Sequence, residues 1–323
     1  MNREEVNIII FKASHFLDNS QMIQLQKALD EVVSNSETNL PVRSSKELLE
    51  QFLATKRLEG RSENTLELYR FTITKFIESF SKNVCVLTTE EIRGFLAEYQ
   101  TRNGAGKTTM DNIRRNISSF YTWLEDENYV FKSPLRRIRK IKTPQVVREA
   151  YSDEDLVKLR DGCNYIRNLA IIDFLNSTGV RISELVGLDI EDINFEEREC
   201  IVLGKGDKER VAYFDARTKL HLQKYLETRK DHNPALFVSL RNPAVRLKPG
   251  AVQIMLKRMG IQCNVNKCHP HRFRRTLATV AIDKGMPIEQ VQRLLGHEKI
   301  DTTLRYALVK QSNVKSSHKK YIS

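Results

Sequence analysis

Nowhere in the 323 residues is there an apolar run approaching the ~20 residues that a membrane-spanning helix needs. Residues 6–11 are apolar except for Asn7, but the stretch is too short for a secretory signal core and has no basic flank. A cytoplasmic location with no membrane partner is therefore expected. Cysteines are few and scattered, at Cys85, Cys163, Cys200, Cys263 and Cys268. An odd, irregular set excludes a disulfide framework and reads as reduced thiols. Cys263, Cys268, His269 and His271 lie close together, yet their spacing is not a standard zinc pattern and no second pair follows, so no metal is expected. Internal repeats and low-complexity tracts are also missing, which argues against solenoids and disordered arrays.

Positive charge, by contrast, is in excess. The chain carries 53 Lys and Arg against 41 Asp and Glu, a formal net charge of +12. This points to a polyanionic partner, nucleic acid ahead of an anionic membrane surface. A hydrophobic content of 40% is enough for packed cores, and the length fits two domains with an appendage.

Residues 1–43 form the appendage. Through residue 34 it holds the basic residues Arg3, Lys12 and Lys27 against the acidic residues Glu4, Glu5, Asp18, Asp30 and Glu31. Met22, Leu25, Leu29 and Val32 recur at helical spacing behind the cap candidates Asp18, Asn19 and Ser20. An acidic amphipathic helix of this kind is expected to pack on protein rather than hold DNA. Residues 35–43, with Pro41, read as a linker.

Residues 44–131 read as a bundle of helices. Ser44 with Glu47 and Thr88 with Glu91 fit the capping box. One apolar face runs Leu66, Tyr69, Ile73, Phe76, Ile77 and Phe80; another runs Met110, Ile113, Ile117, Phe120 and Leu124. Asn103-Gly104-Ala105-Gly106 separates the third helix from the fourth. Residues 132–148 hold Lys132, Arg136, Arg137, Arg139, Lys140, Lys142 and Arg148 and no acid, and Pro134 and Pro144 discourage a continuous helix. The expectation is an extended basic strap along DNA, with Arg136, Arg137, Arg139 and Lys140 as contacts. Arg114 and Arg115 on the last bundle helix are weaker DNA candidates, since a solvated helix face explains them as well.

Residues 149–323 mix helix and strand. Ser152 and Asp155 open a helix, and Tyr165–Ser177 forms another that stops near Gly179. Glu199–Leu203 and Arg210–Phe214 alternate as strands on either side of the turn Gly204-Lys205-Gly206-Asp207. Leu236–Ser239 reads as a third strand, and helices are expected at about 250–260, 271–284, 287–295 and 302–308.

Four stretches of this domain share one chemistry. They are Thr178-Gly179-Val180-Arg181-Ile182-Ser183-Glu184, Gly204-Lys205-Gly206-Asp207-Lys208-Glu209-Arg210, His271-Arg272-Phe273-Arg274-Arg275, and Leu294-Leu295-Gly296-His297 with Asp301–Tyr306 after it. Together they suit attack of a tyrosine hydroxyl on a phosphodiester, with the bond energy kept in a covalent phosphoenzyme. Tyr306 is the candidate nucleophile. A phenol of pKa near 10 costs about 4 kcal/mol to ionise at pH 7, so cations must lie close by. Arg181 and Arg274 suit a clamp on two phosphate oxygens. His271, three residues before Arg274, shares its helix face and can take the tyrosine proton. His297 can donate to the phosphate, and Lys205, on a glycine-flanked turn, can protonate the leaving 5′ oxygen. Glu184 has no attacking role and is expected to orient a cation. Each residue alone has a bland reading, as solvated charge or core packing; all of them in this order and spacing do not.

These segments resemble the tyrosine recombinase, or phage integrase, family, especially its Xer-like and transposon-integrase members. "TGVRISELVGL" is similar to the first-arginine box, "GKGDKER" to the hairpin that bears the catalytic lysine, and His271 and Arg274 to the His-x-x-Arg box. Tyr306 follows His297 by 9 residues, the family's usual spacing. The resemblance covers about residues 44–310. Departures are Arg275, where the family often has histidine, Phe273 in place of a common leucine, and an acidic rather than basic N-terminal arm.

The resemblance implies a C-shaped DNA clamp: an α-helical core-binding bundle (44–131), a basic linker (132–148) and a mixed α+β catalytic domain with a C-terminal tail (149–323). It implies site-specific recombination through a 3′-phosphotyrosine, without cofactor, by a homotetramer with a dimer on each double-stranded DNA site. An accessory DNA-bending protein is left open. Integration and excision of a mobile element is the leading role. Chromosome-dimer or plasmid resolution, and a non-catalytic DNA-binding regulator on the same fold, are the alternatives. The tail, residues 310–323, with four lysines and a sparse apolar face, is expected to dock on a neighbouring protomer.

Overall fold

In the computed structural model, residues 3–17, 19–34, 43–143, 149–204 and 209–304 are described. The chain divides into two units, residues 1–145 and 146–323. The first begins with helices α1 (Arg3–Ala13) and α2 (Asn19–Ser34), which pack on each other. Helix α2 covers the periodic stretch expected to be helical; α1 has no counterpart in the sequence reading. Val6, Ile10 and Ala13 of α1 are buried, whereas Phe11 is exposed.

Four helices follow: α3 (Ser45–Leu58), α4 (Glu63–Glu78), α5 (Thr89–Asn103) and α6 (Lys107–Asp126). Both capping boxes form. The Ser44 amide donates to Glu47 at 2.7 Å and the Thr88 amide to Glu91 at 2.9 Å, while each hydroxyl accepts from the amide three residues on. Helix α5 ends at Gly104, whose φ of 56° is the left-handed conformation that a glycine adopts freely. The apolar faces named above point inward, with Tyr69 and Phe80 at the margin. Phe52, Phe76, Phe120 and Tyr121 fill the centre, and the Tyr121 hydroxyl is satisfied by the Val84 carbonyl at 2.7 Å.

The start of the basic segment is not a free strap. Pro134–Arg137 is a turn of 3-10 helix. The Ser133 side chain caps it, Pro134 presets its first φ, and Leu135 is buried in the bundle. Thr89 donates to the Pro134 carbonyl, Arg93 to that of Arg137, and Asp111 accepts from the Ile141 amide at 3.0 Å. The extended conformation expected for 132–148 is thus interrupted at Pro134–Arg137; residues 139–143 form neither helix nor strand, and residues 144–148 lie outside the described part.

The second unit is built on α8 (Ile166–Thr178), apolar on nearly every face and packed against α10 (Ala216–Glu227) and α12 (Pro270–Asp283). Helix α7 (Asp153–Asp161) precedes it, capped by Ser152. Gly179, at φ 60°, ends α8, and a Cβ there would stand 2.8 Å from Leu277. The short α9 (Ile182–Gly187) leads to an antiparallel sheet of order β1-β2-β3, made of Ile193–Asn194, Glu199–Leu203 and Glu209–Tyr213. Its register pairs Val202 with Arg210 and Cys200 with Ala212, all on the inward side. Helices α11 (Pro249–Gln262), α13 (Ile288–Leu295) and α14 (Ile300–Leu304) complete the unit.

One expected strand is corrected. Leu236–Ser239 makes no continuous ladder: Ala235 bridges Asp189 and Val238 bridges Arg246. Its two sides meet different loops, so apolar burial does not extend into paired backbone. The sequence reading passed over β1 and α10. Among the described residues no helix is long and apolar enough to cross a membrane.

Candidate active site

Helix α8 stops at Gly179 and the chain turns so that Arg181 stands at the start of α9. Glu184, one turn on, is buried and takes three donors. Its Oε1 accepts from Arg181 Nη1 at 2.6 Å; its Oε2 accepts from the Arg181 amide and from Arg210 Nη2, both at 2.8 Å. Burial works against the charge of Glu184, but the Arg181 amide and the two guanidinium groups outweigh it and hold the carboxyl below the usual carboxylate range. The orienting role expected for Glu184 thus has a geometry: it fixes Arg181, whose side chain keeps 29% of its surface exposed.

Arg274 comes in from α12 and is 3% exposed. Its Nη1 donates to the Gly179 carbonyl at 2.6 Å and its Nη2 to that of Leu295. Arg181 Nη2 donates to the Gly296 carbonyl at 3.1 Å, and Arg210 Nη1 to that of Leu294 at 2.8 Å. Three arginines therefore converge on the C-terminal ends of α8 and α13, where orphan carbonyls and the negative end of the helix dipole attract cations. Three guanidinium charges face one carboxylate, so the cluster is positive overall. An anion is the natural complement.

His297 follows Gly296, whose φ of 61° turns the chain out of α13. Its Nδ1 lies 2.8 Å from the hydroxyl of the buried Thr303. Burial, reinforced by Arg274, Arg181 and Arg210, pushes the imidazole down to about 4. At pH 7 it is neutral. In the tautomer whose Nδ1 accepts from Thr303, the ring proton sits on Nε2 and His297 is a neutral hydrogen-bond donor.

His271 is exposed in the first turn of α12, one turn before Arg274. Lys205 and Tyr306 lie outside the described residues, as does the tail, so only the elements that lead to them are placed: β2 ends at Leu203, and α14 at Leu304. Among the described residues no group of three or more His, Cys, Asp or Glu is arranged to hold a metal, and Cys263 and Cys268 are free thiols.

Residues 149–313 match the phage integrase family, and residues 48–130 match the phage integrase N-terminal SAM-like domain. The chain belongs to the phage integrase family. It is a tyrosine recombinase, an enzyme that cleaves and rejoins DNA site-specifically. It is 30% identical to tyrosine recombinase XerA of Pyrococcus horikoshii, over 85% of this chain and 93% of that one. Tyrosine recombinase XerC of Myxococcus xanthus is 31% identical, over 81% and 93% of the two chains. Similar folds are found in the XerH recombinase bound to palindromic difH substrate after cleavage (21% identity, 98% and 95% coverage, TM-score 0.67) and in a lambda integrase dimer on a COC′ core site (17% identity, 90% and 87% coverage, TM-score 0.68).

In this recombinase the departure at Arg275 has a structural use. Arg275 donates to the Glu149 carbonyl and Arg272 to that of Ala150, both at 3.0 Å, and Arg272 also lies over the Tyr151 ring at 4.1 Å. Thr276 accepts from the Tyr151 amide, and the Tyr151 hydroxyl from the amide of His269. The helix that bears His271 and Arg274 thereby holds the first residues of the catalytic unit. Arg246 caps the end of α9 through the carbonyls of Val186, Gly187 and Leu188, each at 3.0 Å. Sequence reasoning missed the placing roles of Arg210, Arg246 and Arg272.

The bundle candidates divide into two groups. Arg115, Arg137, Arg139 and Lys140 are exposed. Arg114 is held by Asp111 at 2.9 Å, the same carboxylate that fixes Ile141, and Arg136 by Glu125 at 2.6 Å. Arg114, 13% exposed, thus helps to secure the basic segment, whereas Arg136 remains exposed beside its partner.

Proposed function

We propose that this recombinase integrates and excises a mobile element by way of a 3′-phosphotyrosine on Tyr306. The Tyr306 oxygen attacks the scissile phosphorus, the bond from phosphorus to the 5′ oxygen breaks, and the 5′ hydroxyl leaves with a proton from Lys205. His271 takes the phenolic proton. Arg181 and Arg274 hold the non-bridging oxygens, and His297 donates from Nε2. Arg115, Arg137, Arg139 and Lys140 bind the DNA backbone, which fixes register without reading sequence. Four protomers work on two sites, two on each. The observation that carries the phosphotyrosine chemistry is the convergence of Arg181, Arg210 and Arg274 on the ends of α8 and α13 with Glu184 as the one carboxylate shared by Arg181 and Arg210, a cation excess suited to a phosphorane.

The match to Xer recombinases over more than four-fifths of the chain favours a second reading, resolution of chromosome dimers. One experiment tests both. Wild-type protein is incubated with sheared genomic DNA of its source and denatured, and the covalently held DNA is sequenced. Ends of a mobile element among the captured fragments support integration and excision. A single chromosomal site without flanking element ends supports resolution and rejects the first reading.

A further inference from the structure

Arg210 is matched to none of the catalytic positions described above, yet it reaches both α9, which Arg181 opens, and the end of α13, which His297 follows. It stands on β3, the strand paired with β2, and faces inward opposite Val202. Nη2 reaches Glu184 on α9 at 2.8 Å and Nη1 reaches Leu294 at the end of α13 at 2.8 Å. Its side chain is 10% exposed. Gly296 closes over it so tightly that a Cβ there would stand 2.6 Å from Cδ and 3.0 Å from Nε. The Nε–H is buried without a hydrogen-bond partner, a cost accepted to keep both terminal nitrogens on their acceptors. Both terminal nitrogens of Arg210 are thus engaged by protein acceptors on two different elements.

Glu184 gives the position its meaning. Its carboxylate is divided between two cations: Oε1 serves Arg181 and Oε2 serves Arg210 together with the Arg181 amide. Remove Arg210, and the full carboxylate charge falls on Arg181, which is drawn inward and partly neutralised. The last turn of α13, which aims His297, also loses its tie to the hairpin strand. We infer that Arg210 is a positioning residue that shares Glu184 with Arg181, leaving Arg181 charged toward the scissile phosphate, and that it ties β3 to the turn bearing His297.

The inference rests on the phosphotyrosine reading, and the test separates the two. Full-length wild type, Tyr306→Phe, Arg210→Met and Arg210→Lys are compared on a nicked duplex carrying the sequence captured by the wild-type protein. The duplex is made in three forms: an ordinary phosphodiester, a methylphosphonate at the scissile position, and a sulfur at the bridging 5′ position. The methylphosphonate lacks one non-bridging charge and so needs less of the arginine clamp. The sulfur leaves without an acid. Arg210→Met is expected to bind the duplex within about threefold of wild type, because backbone contacts elsewhere set binding. Its adduct rate on the phosphodiester should fall about 100-fold, as expected when a clamp is misplaced. On the methylphosphonate the deficit should shrink to about tenfold or less, since less charge awaits neutralisation; on the sulfur substrate it should persist. Arg210→Lys keeps the charge but only one prong, and should show the same pattern with a smaller deficit; it carries the test if Arg210→Met fails to fold. Wild-type rates in a folded variant, or equal deficits on phosphodiester and methylphosphonate, would overturn the inference. No adduct from wild type, or an adduct from Tyr306→Phe, would overturn the phosphotyrosine reading and the inference with it.

Discussion

The two units use arginine in opposite ways. In the bundle, Arg57 pairs with Glu63 at 2.9 Å, Arg93 with Glu90 at 2.8 Å and Arg70 with Glu50, all at the surface. In the catalytic unit arginines turn inward and donate to main-chain carbonyls: Arg167 to Val238, Arg229 to Ala235 and Asn233, Arg246 to the end of α9, and Arg274 to Gly179 and Leu295. The bundle uses such a pin at Arg93, on the Arg137 carbonyl, but its four helices are long and packed through an aromatic core. The catalytic unit is made of short elements and loops whose ends leave carbonyls unpaired, and guanidinium groups with several donors satisfy them. Most of that service is structural. At the ends of α8 and α13 three arginines gather, two of them sharing the buried Glu184, and there the surplus charge becomes a site.

That contrast can be broken from either side. The largest effect should come from Arg181→Lys, which keeps the charge but loses the fork that reaches Glu184 and the Gly296 carbonyl and that the proposed mechanism sets on the phosphate. Covalent adduct formation should drop about 1,000-fold, on ordinary and 5′-sulfur substrates alike, while a gel shift changes little. Near-normal cleavage would show that point charge is enough. Lys205→Ala should lose about 100-fold on ordinary DNA and regain most of it with sulfur at the 5′ bridge, because a thiolate needs no acid to leave. Equal impairment on both substrates would remove Lys205 as the acid.

A third test uses pH. His297 is held at about 4 in the folded protein, below its ordinary value of 6.5, by burial first and then by Arg274, Arg181 and Arg210. Between those values the unfolded chain binds a proton that the folded chain refuses. This contribution to stability is thus whole above pH 6.5 and falls away as the pH drops toward 4. Urea melts of wild type should weaken across that window, and those of His297→Gln should weaken less. Identical slopes would mean that His297 is not held neutral by the cluster. The smallest effect belongs to the bundle: Arg57→Ala should leave the urea midpoint and cleavage nearly unchanged, because an exposed pair contributes little. A loss of adduct in that variant would undo the contrast between the units.

The same contrast explains what was legible in the sequence. Helices α3 to α6 follow local rules, caps at Ser44 and Thr88 and periodic apolar faces, so they could be read directly. Arg181, Glu184, Arg274 and His297 were legible as residues through their motifs, but their meeting on the ends of α8 and α13 is a matter of packing that no spacing states. Arg210 had a signal that was not used: on a strand where Ala212 and Phe214 face the core, a charge two residues earlier points inward and demands a partner. Helix α10 was also within reach, since Asp215 caps it through the Thr218 amide ahead of Leu222 and Tyr225. Two-residue β1 was not, because so short a strand is defined only by its pairing with Cys200 and Glu199. Leu236–Ser239 misled for the converse reason: an apolar run buried in a core looks like a strand whether or not its backbone finds a ladder.

The central claim is that the arginine cluster serves a tyrosine that takes the phosphate, and the most direct measurement is the site of attachment. The wild-type recombinase is trapped on a nicked duplex bearing its captured site, digested with protease and nuclease, and read by mass spectrometry. The account predicts a 3′-phosphoryl nucleotide on the peptide containing Tyr306, and none in Tyr306→Phe, with DNA binding by the variant intact. A phosphoryl group on another residue, or cleavage by Tyr306→Phe at the wild-type rate, would contradict it.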